Sequence, residues 1–255
     1  MSELDLALYH GSAIGGARPK VLIEDSNKKY IAKFSSSNDT YSVIKAEFIA
    51  MRLADICGIN VAKVEQLKVS GKEILLVERF DRKKVKDGWE RKIIHSALTL
   101  LELDENNARY ASYQDLCEII RGRFSKATIN LKELYTRLVF NIIVGNNDDH
   151  ARNHAAFWDG RTLNLTPAYD ICPQVRTGNI SNQGMLIKGE HKQSKISLCL
   201  NAAGVFMLSE SVAFKIIEKT LFKERQFLNP YIFEDLDEKK SKILLKLVKD
   251  FESQP

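Results

Sequence analysis

No stretch of this 255-residue sequence is apolar for long enough to cross a membrane. The N-terminus, MSELDLALYHG, carries acids early and lacks the basic start of a secretory signal. Cysteine is sparse and scattered. Cys57, Cys117, Cys172 and Cys199 lie far apart and form no CxxC, so they read as reduced thiols in a cytoplasmic protein rather than a disulfide frame. There is no internal repeat and no low-complexity tract. Charge of one sign is not in large excess: a net +5 reads as a balanced, mildly basic surface, which permits an acidic partner or nucleic acid without arguing for either. With 44% hydrophobic residues, the chain has enough apolar content for a large core, in one two-lobed domain or two small ones.

The most informative stretch runs from Gly145 to Asp170, GNNDDHARNHAAFWDGRTLNLTPAYD. A helical apolar pattern over Asn130–Val144 (Leu131, Leu134, Leu138, Ile142) feeds it, and Gly145 is suited to end that helix. Asn146, Asn147, Asp148, Asp149, His150 and Asn153 then follow, too polar a run for core. Ala155–Trp158 and Leu163–Leu165 read as a hairpin turning at Asp159-Gly160. That hairpin would return Asp170 to the side of Asp148 and Asn153. An Asp, an Asn five residues on and a second Asp across a hairpin suit phosphoryl transfer. One carboxylate takes the proton of an attacking hydroxyl, and the Asn and second Asp offer hard oxygens to magnesium. The same spacing also fits a solvated turn between helix and strand.

Upstream, HGSAIGGARPK at 10–20 contains Gly11, Gly15 and Gly16 beside Arg18 and Lys20. It fits either a phosphate-facing loop or a simple hairpin turn. Strands are expected at 20–23 and 28–34. Lys33, set among apolar neighbours, fits a snorkelling strand lysine or one that reaches nucleotide phosphates. A helix is expected over 41–57, with Glu47 in its middle, able to pair with Lys33 or simply to face solvent. Strands at 61–67 and 74–80 follow, the second running into Glu78, Arg79, Phe80 and Asp81. A two-lobed kinase would place its hinge there, with backbone groups free to read an adenine edge. Helices are then expected at 91–103, 113–124 (opened by a Ser112…Asp115 capping box), 205–221 and 236–251, with a loop-rich segment over 171–194. Strands first and helices after make an α+β fold of two lobes, a small β-rich lobe at 1–82 and a larger helical lobe at 83–255.

These motifs, in this order, resemble the HipA-like serine/threonine kinases, the toxin half of bacterial toxin–antitoxin pairs. The resemblance rests on GGARPK at 15–20, AKF at 32–34, ERFDR at 78–82, NDDHARN at 147–153 and LTPAYDI at 165–171. It implies a protein-kinase-like fold that uses ATP and magnesium. Lys33 would hold ATP phosphates beneath the loop of Gly15 and Gly16. The backbone of Glu78 and Phe80 would read adenine, with Asp81 near the ribose. Asp148 would be the base, with His150 by the transferring group, and Asn153 and Asp170 would be the magnesium ligands. It also implies a protein substrate such as an aminoacyl-tRNA synthetase or another translation factor. A small helix-turn-helix antitoxin would be the partner, through which DNA is met only indirectly.

Two features depart from that family. Its members often carry about a hundred residues before the glycine-rich loop, whereas here the loop begins near residue 10. A separate small protein is therefore expected to supply the missing subdomain. The family's regulatory phosphoserine position falls on Ala13, with Ser12 its neighbour, so loop autophosphorylation is either lost or moved to Ser12. Two other readings stay open: a kinase fold serving mainly as an antitoxin-binding corepressor, and a small-molecule kinase of the same two-lobed plan.

Overall fold

The protein was analysed as a computed structural model, which describes residues 19–36, 39–174 and 181–224. Ser12, Gly15, Gly16 and Arg18 lie outside the described residues, and so does the helix expected at 236–251. The first lobe is an antiparallel sheet of β1 (Lys20–Glu24), β2 (Lys29–Phe34), β3 (Val64–Val69) and β4 (Lys72–Glu78), in the order β1-β2-β4-β3. Strand β3 was expected to begin at residue 61; Val61 instead makes a single parallel bridge to Ala168. The central strand β4 is buried on both faces, as its unbroken ILLV run requires. Leu75 and Val77 pack toward helix α1 (Val43–Cys57), while Ile74 and Leu76 join Val21, Tyr30 and Phe34 on the other face. Ser42 caps α1 by accepting from the Lys45 N–H, and Gly58, at φ 82°, ends it in the left-handed conformation that glycine favours.

A two-stranded ribbon follows, β5 (Arg82–Val85) against β6 (Gly88–Arg91). The helix expected over 91–103 does not form. Ile93–Ser96 is strand β7, paired with β8 (Ala155–Trp158), and only Ala97–Leu100 is helical, as α2. The apolar spacing of 93–101 fits a helix, but the adjacent β-branched Ile93 and Ile94 sit better on a sheet edge, and Ser96 caps a fresh start. The second lobe is built on α3 (Tyr113–Arg123), α4 (Ala127–Val144), α5 (Ile196–Ala202) and α6 (Glu210–Glu224), beside the sheet β7-β8-β9, with β9 at Leu163–Leu165. The last described helix starts at Glu210 rather than 205, because Ala203–Phe206 forms a 3₁₀ turn first.

Helix α4 is buried on nearly every side and is the axis of the second lobe. Leu131, Leu134 and Leu138 meet Tyr113, Phe206 and Ile217 in the main core. Phe140 and Val144 instead face Ile44, Met51 and Leu75 of the first lobe, so one continuous apolar cluster joins the lobes. Among the described residues no helix is long and apolar enough to cross a membrane.

Candidate active site

Lys33 sits on β2 directly across from Leu75 and is 6% exposed. Its ammonium bonds both Glu47 Oε1, from the middle of α1, and Asp170 Oδ1. A buried charge of this kind survives only when paired, since desolvation costs several kcal/mol per ion. Burial works against the charged lysine, but the two carboxylates outweigh it and raise its pKa. Burial raises Glu47, with Lys33 opposing, so the shared ammonium does not fully compensate this carboxyl. For Asp170, burial is outweighed by Lys33, and its pKa is lowered. Of the two readings open for Glu47 in the sequence, the pairing with Lys33 is the one the structure contains.

Gly145, at φ 75°, ends α4 and turns the chain into the polar loop. The loop is held by its own backbone. His150 N–H donates to the Asp148 carbonyl at 3.0 Å, and Asn153 N–H donates to the His150 carbonyl at 2.8 Å. The Asn153 side-chain amide also donates to the Asp148 carbonyl, at 2.8 Å. A carbonyl can only accept, so this bond fixes the amide and leaves Asn153 Oδ1 as the group available to a ligand. The hairpin of β8 and β9 turns at Asp159-Gly160 as expected, with Asp159 Oδ1 accepting from Arg161 and Thr162 N–H. It returns the chain to Asp170, which adopts φ 59°, a conformation that is uncommon outside glycine. Asp148, Asn153 and Asp170 line one cavity of about 430 Å³, together with Lys33, Glu47 and His150.

Asp148 keeps 67% of its side chain open, and His150 Nε2 stands 3.7 Å from its carboxylate, beyond hydrogen-bond reach. Desolvation raises the Asp148 pKa, His150 opposes, and the Asp170 and Asp149 charges raise it further.

The polar run is not all surface, contrary to its reading as too polar for core. Asn146 and Asp149 are each 1% exposed. Asp149 accepts from the Tyr113 hydroxyl and lies 2.8 Å from His154 Nε2, with Asn141 as a further donor. Burial pushes Asp149 up, but these donors prevail and hold it below the usual aspartate value. Beneath the loop, a Cβ on Gly184 would stand 2.9 Å from His150 N and 3.0 Å from the Asp149 carbonyl, so only glycine fits there. Buried Arg137 donates to the Thr166 carbonyl at 2.8 Å and the Asn60 carbonyl at 3.2 Å, and pairs with Glu133. Asn60 N–H in turn donates to Glu133 at 3.1 Å. This latch ties the strand leading to Asp170 to the end of α1. Sequence reasoning singled out none of Asp149, His154, Tyr113, Arg137 and Gly184 as site-supporting. The one available signal was two buried-type partners, Tyr113 at the start of α3 and His154 just before β8.

A second cavity, about 320 Å³, adjoins the first and shares Lys20, Lys33, Tyr169 and Asp170 with it. Its wall is Val77, Glu78, Phe80 and Asp81. The Glu78 N–H is taken by the Lys63 carbonyl at 2.9 Å, whereas Phe80 N–H bonds nothing among the described residues. Phe80 is fixed by rings, Phe157 at 5.9 Å edge-on and Tyr169 at 5.8 Å. The Asp81 carboxylate is held by Arg79 (2.6 and 2.9 Å) and by Arg82. Magnesium takes only one or two protein carboxylates with further oxygens, and Asp170 with Asn153 Oδ1 is a donor set of that kind.

Comparison with known proteins places this geometry among relatives. A sequence profile of the HipA-like C-terminal domain family matches residues 12–226. The serine/threonine-protein kinase toxin HipA of Shewanella oneidensis is 25% identical over 183 residues, which is 62% of this chain and 42% of that protein. Across the curated relatives matched, the aligned stretch spans 36% to 57% of their length. A solved Shewanella oneidensis complex of HipA, HipB and operator DNA superposes with a TM-score of 0.72 at 18% identity, covering 94% of this chain and 63% of that one. The Helicobacter pylori proinflammatory kinase CtkA superposes at 0.57 with 13% identity, covering 96% and 90%. The fold is thus the two-lobed, kinase-like α+β arrangement.

Proposed function

The chain belongs to the HipA-like C-terminal domain family, and from that premise and the cleft's geometry we propose that it is an ATP- and magnesium-dependent protein serine/threonine kinase. The observation that carries the reading is the buried Lys33, bonded at once to Glu47 and Asp170 at the junction of the two cavities. Residues 1–82 would form the nucleotide lobe and 83–255 the catalytic lobe. Adenine would lie against Phe80, reading the Phe80 N–H and the Glu78 carbonyl, with the ribose toward Asp81. Gly15 and Gly16 would cover the phosphates, and Lys33 would hold them. Magnesium, held by Asp170 and Asn153, would neutralise charge on the phosphate oxygens. Asp148 would accept the proton of a substrate serine or threonine hydroxyl as its oxygen bonds the γ-phosphorus and the bond to the β-phosphate oxygen breaks, with ADP leaving. His150 would steady the transferring group. Ser12 would be a self-limiting autophosphorylation site in the covering loop.

The fold also supports a partner. The related HipA was solved with HipB and operator DNA. We therefore read this chain as a cytoplasmic toxin restrained by a small helix-turn-helix antitoxin, reaching DNA only through it. The substrate would be a translation-related protein, such as an aminoacyl-tRNA synthetase. Induced expression in a bacterial host tests this: the wild-type chain should slow growth and the Asp148→Ala chain should not. Equal toxicity of the two would point to antitoxin or corepressor binding instead of catalysis.

A further inference from the structure

Residues 82–92, RKKVKDGWERK, hold six cations against two acids, Asp87 and Glu90, so this stretch carries +4 of the chain's net +5. It is the ribbon β5–β6, which projects from the cleft rim: Lys92 N–H donates to the Asp81 carbonyl at 3.0 Å, and Asp81 and Ile94 line the second cavity. The register sorts its side chains. Arg82 faces Arg91 and Lys84 faces Trp89, and alternate residues share a face, so these four lie on one side. Glu90 is paired across from Lys83 on the other side. Lys84 Nζ lies 5.1 Å from the Trp89 ring centroid and Lys29 Nζ, from β2, lies 5.0 Å away. Arg82 is engaged by Asp81, and Lys29 also meets Glu24. Lys84 and Arg91 are exposed. One face therefore presents an indole flanked by ammonium groups, with Glu90 on the opposite face.

We propose that this face binds single-stranded nucleic acid. Phosphates would draw Lys29 and Lys84 off the ring and engage Arg91, and the uncovered indole would stack on an unpaired base. An acidic polypeptide has the charge but no ring to use Trp89. A duplex hides its base faces, and a tryptophan here offers nothing to read base edges. The inference stands on the ribbon alone and does not depend on the kinase reading.

Fluorescence anisotropy of a labelled oligouridylate of about fifteen nucleotides, titrated with the full chain, tests it. Binding is expected, with log affinity falling against log salt at a slope near −2, as about three phosphate contacts would give. Lys84→Glu and Arg91→Glu should each weaken it roughly tenfold or more. Trp89→Leu should do likewise while Trp89→Phe, which keeps a stacking ring, retains most of the affinity. Thermal melts of the four variants at the wild-type temperature exclude misfolding. Binding absent in wild type overturns the proposal, as does equal affinity of Trp89→Leu. So does equal or tighter binding of poly-glutamate, or of the same strand annealed to oligoadenylate.

Discussion

Asp148 and Asp149 are adjacent in the chain and opposite in electrostatic circumstance. Asp149 is buried and ringed by donors, which lower its pKa, whereas desolvation and like charges raise that of Asp148. A base must be ionised to act, so with Asp148 in the proposed role activity should be lost as pH falls through its raised pKa. Asp149, with a depressed folded-state pKa, contributes stability that is present above the unfolded value and lost only as pH falls through the folded one. The rate should therefore fail before the loop does. The acid limb of a kcat/KM profile should lie above the ordinary aspartate value of about 3.9, with the unfolding midpoint flat across it. A limb at or below that value would contradict the assignment of Asp148. Asp170 makes a second case. Its carboxylate is one of two that the buried Lys33 holds, and with Asn153 it is the magnesium donor set proposed above. Asp170→Ala should abolish magnesium-dependent ATP binding in a calorimetric titration. Wild-type affinity in that variant would remove Asp170 from the site.

The elements explain why these residues hold station. The loop lies on Gly184, so Gly184→Ala must push either the His150 or the Asp149 backbone away. We expect kcat to fall roughly ten- to a hundredfold, as small displacements in a site do, with a stability loss of about 1–3 kcal/mol from the overpacking. An unchanged kcat would show that the contact yields freely. The Arg137 latch carries stability rather than chemistry. Arg137→Leu strips Glu133 of its buried cation and the Thr166 carbonyl of its donor, while Asn60 N–H still meets Glu133, and should cost about 3–5 kcal/mol by urea unfolding, the range for breaking a buried pair. Much of the site was readable from residue type and spacing. Lys33, Asp148, Asn153 and Asp170 converge because strand, helix end and hairpin were each marked by local signals. Asp149, Arg137 and Gly184 were not readable, because their partners are dozens of residues away: Tyr113 for Asp149, Asn60 and Thr166 for Arg137, and the loop backbone for Gly184. The segment 93–101 was misread for a related reason. Its helical spacing is local, while its pairing with Ala155–Trp158 is not.

At the scale of the whole molecule, two lobes share one apolar cluster around Phe140 and Val144 and one charged centre at Lys33. The β sheet supplies Lys33 and the Phe80 wall, and the helical lobe supplies Asp148, Asn153 and Asp170. Neither lobe holds a complete set. That division suits the two-substrate transfer proposed above, with the nucleotide against one wall and the acceptor hydroxyl approaching the other. The central claim is that the cleft moves the γ-phosphoryl of ATP to a hydroxyl with Asp148 as base. Its most direct measurement is transfer of labelled γ-phosphate from magnesium ATP to protein, in wild type and Asp148→Ala side by side, with ATP affinity measured on both. The account predicts transfer by the wild-type chain, a loss of roughly three or more powers of ten in Asp148→Ala, and nearly equal ATP affinity. No transfer by the wild-type chain, or undiminished transfer by Asp148→Ala, would contradict it.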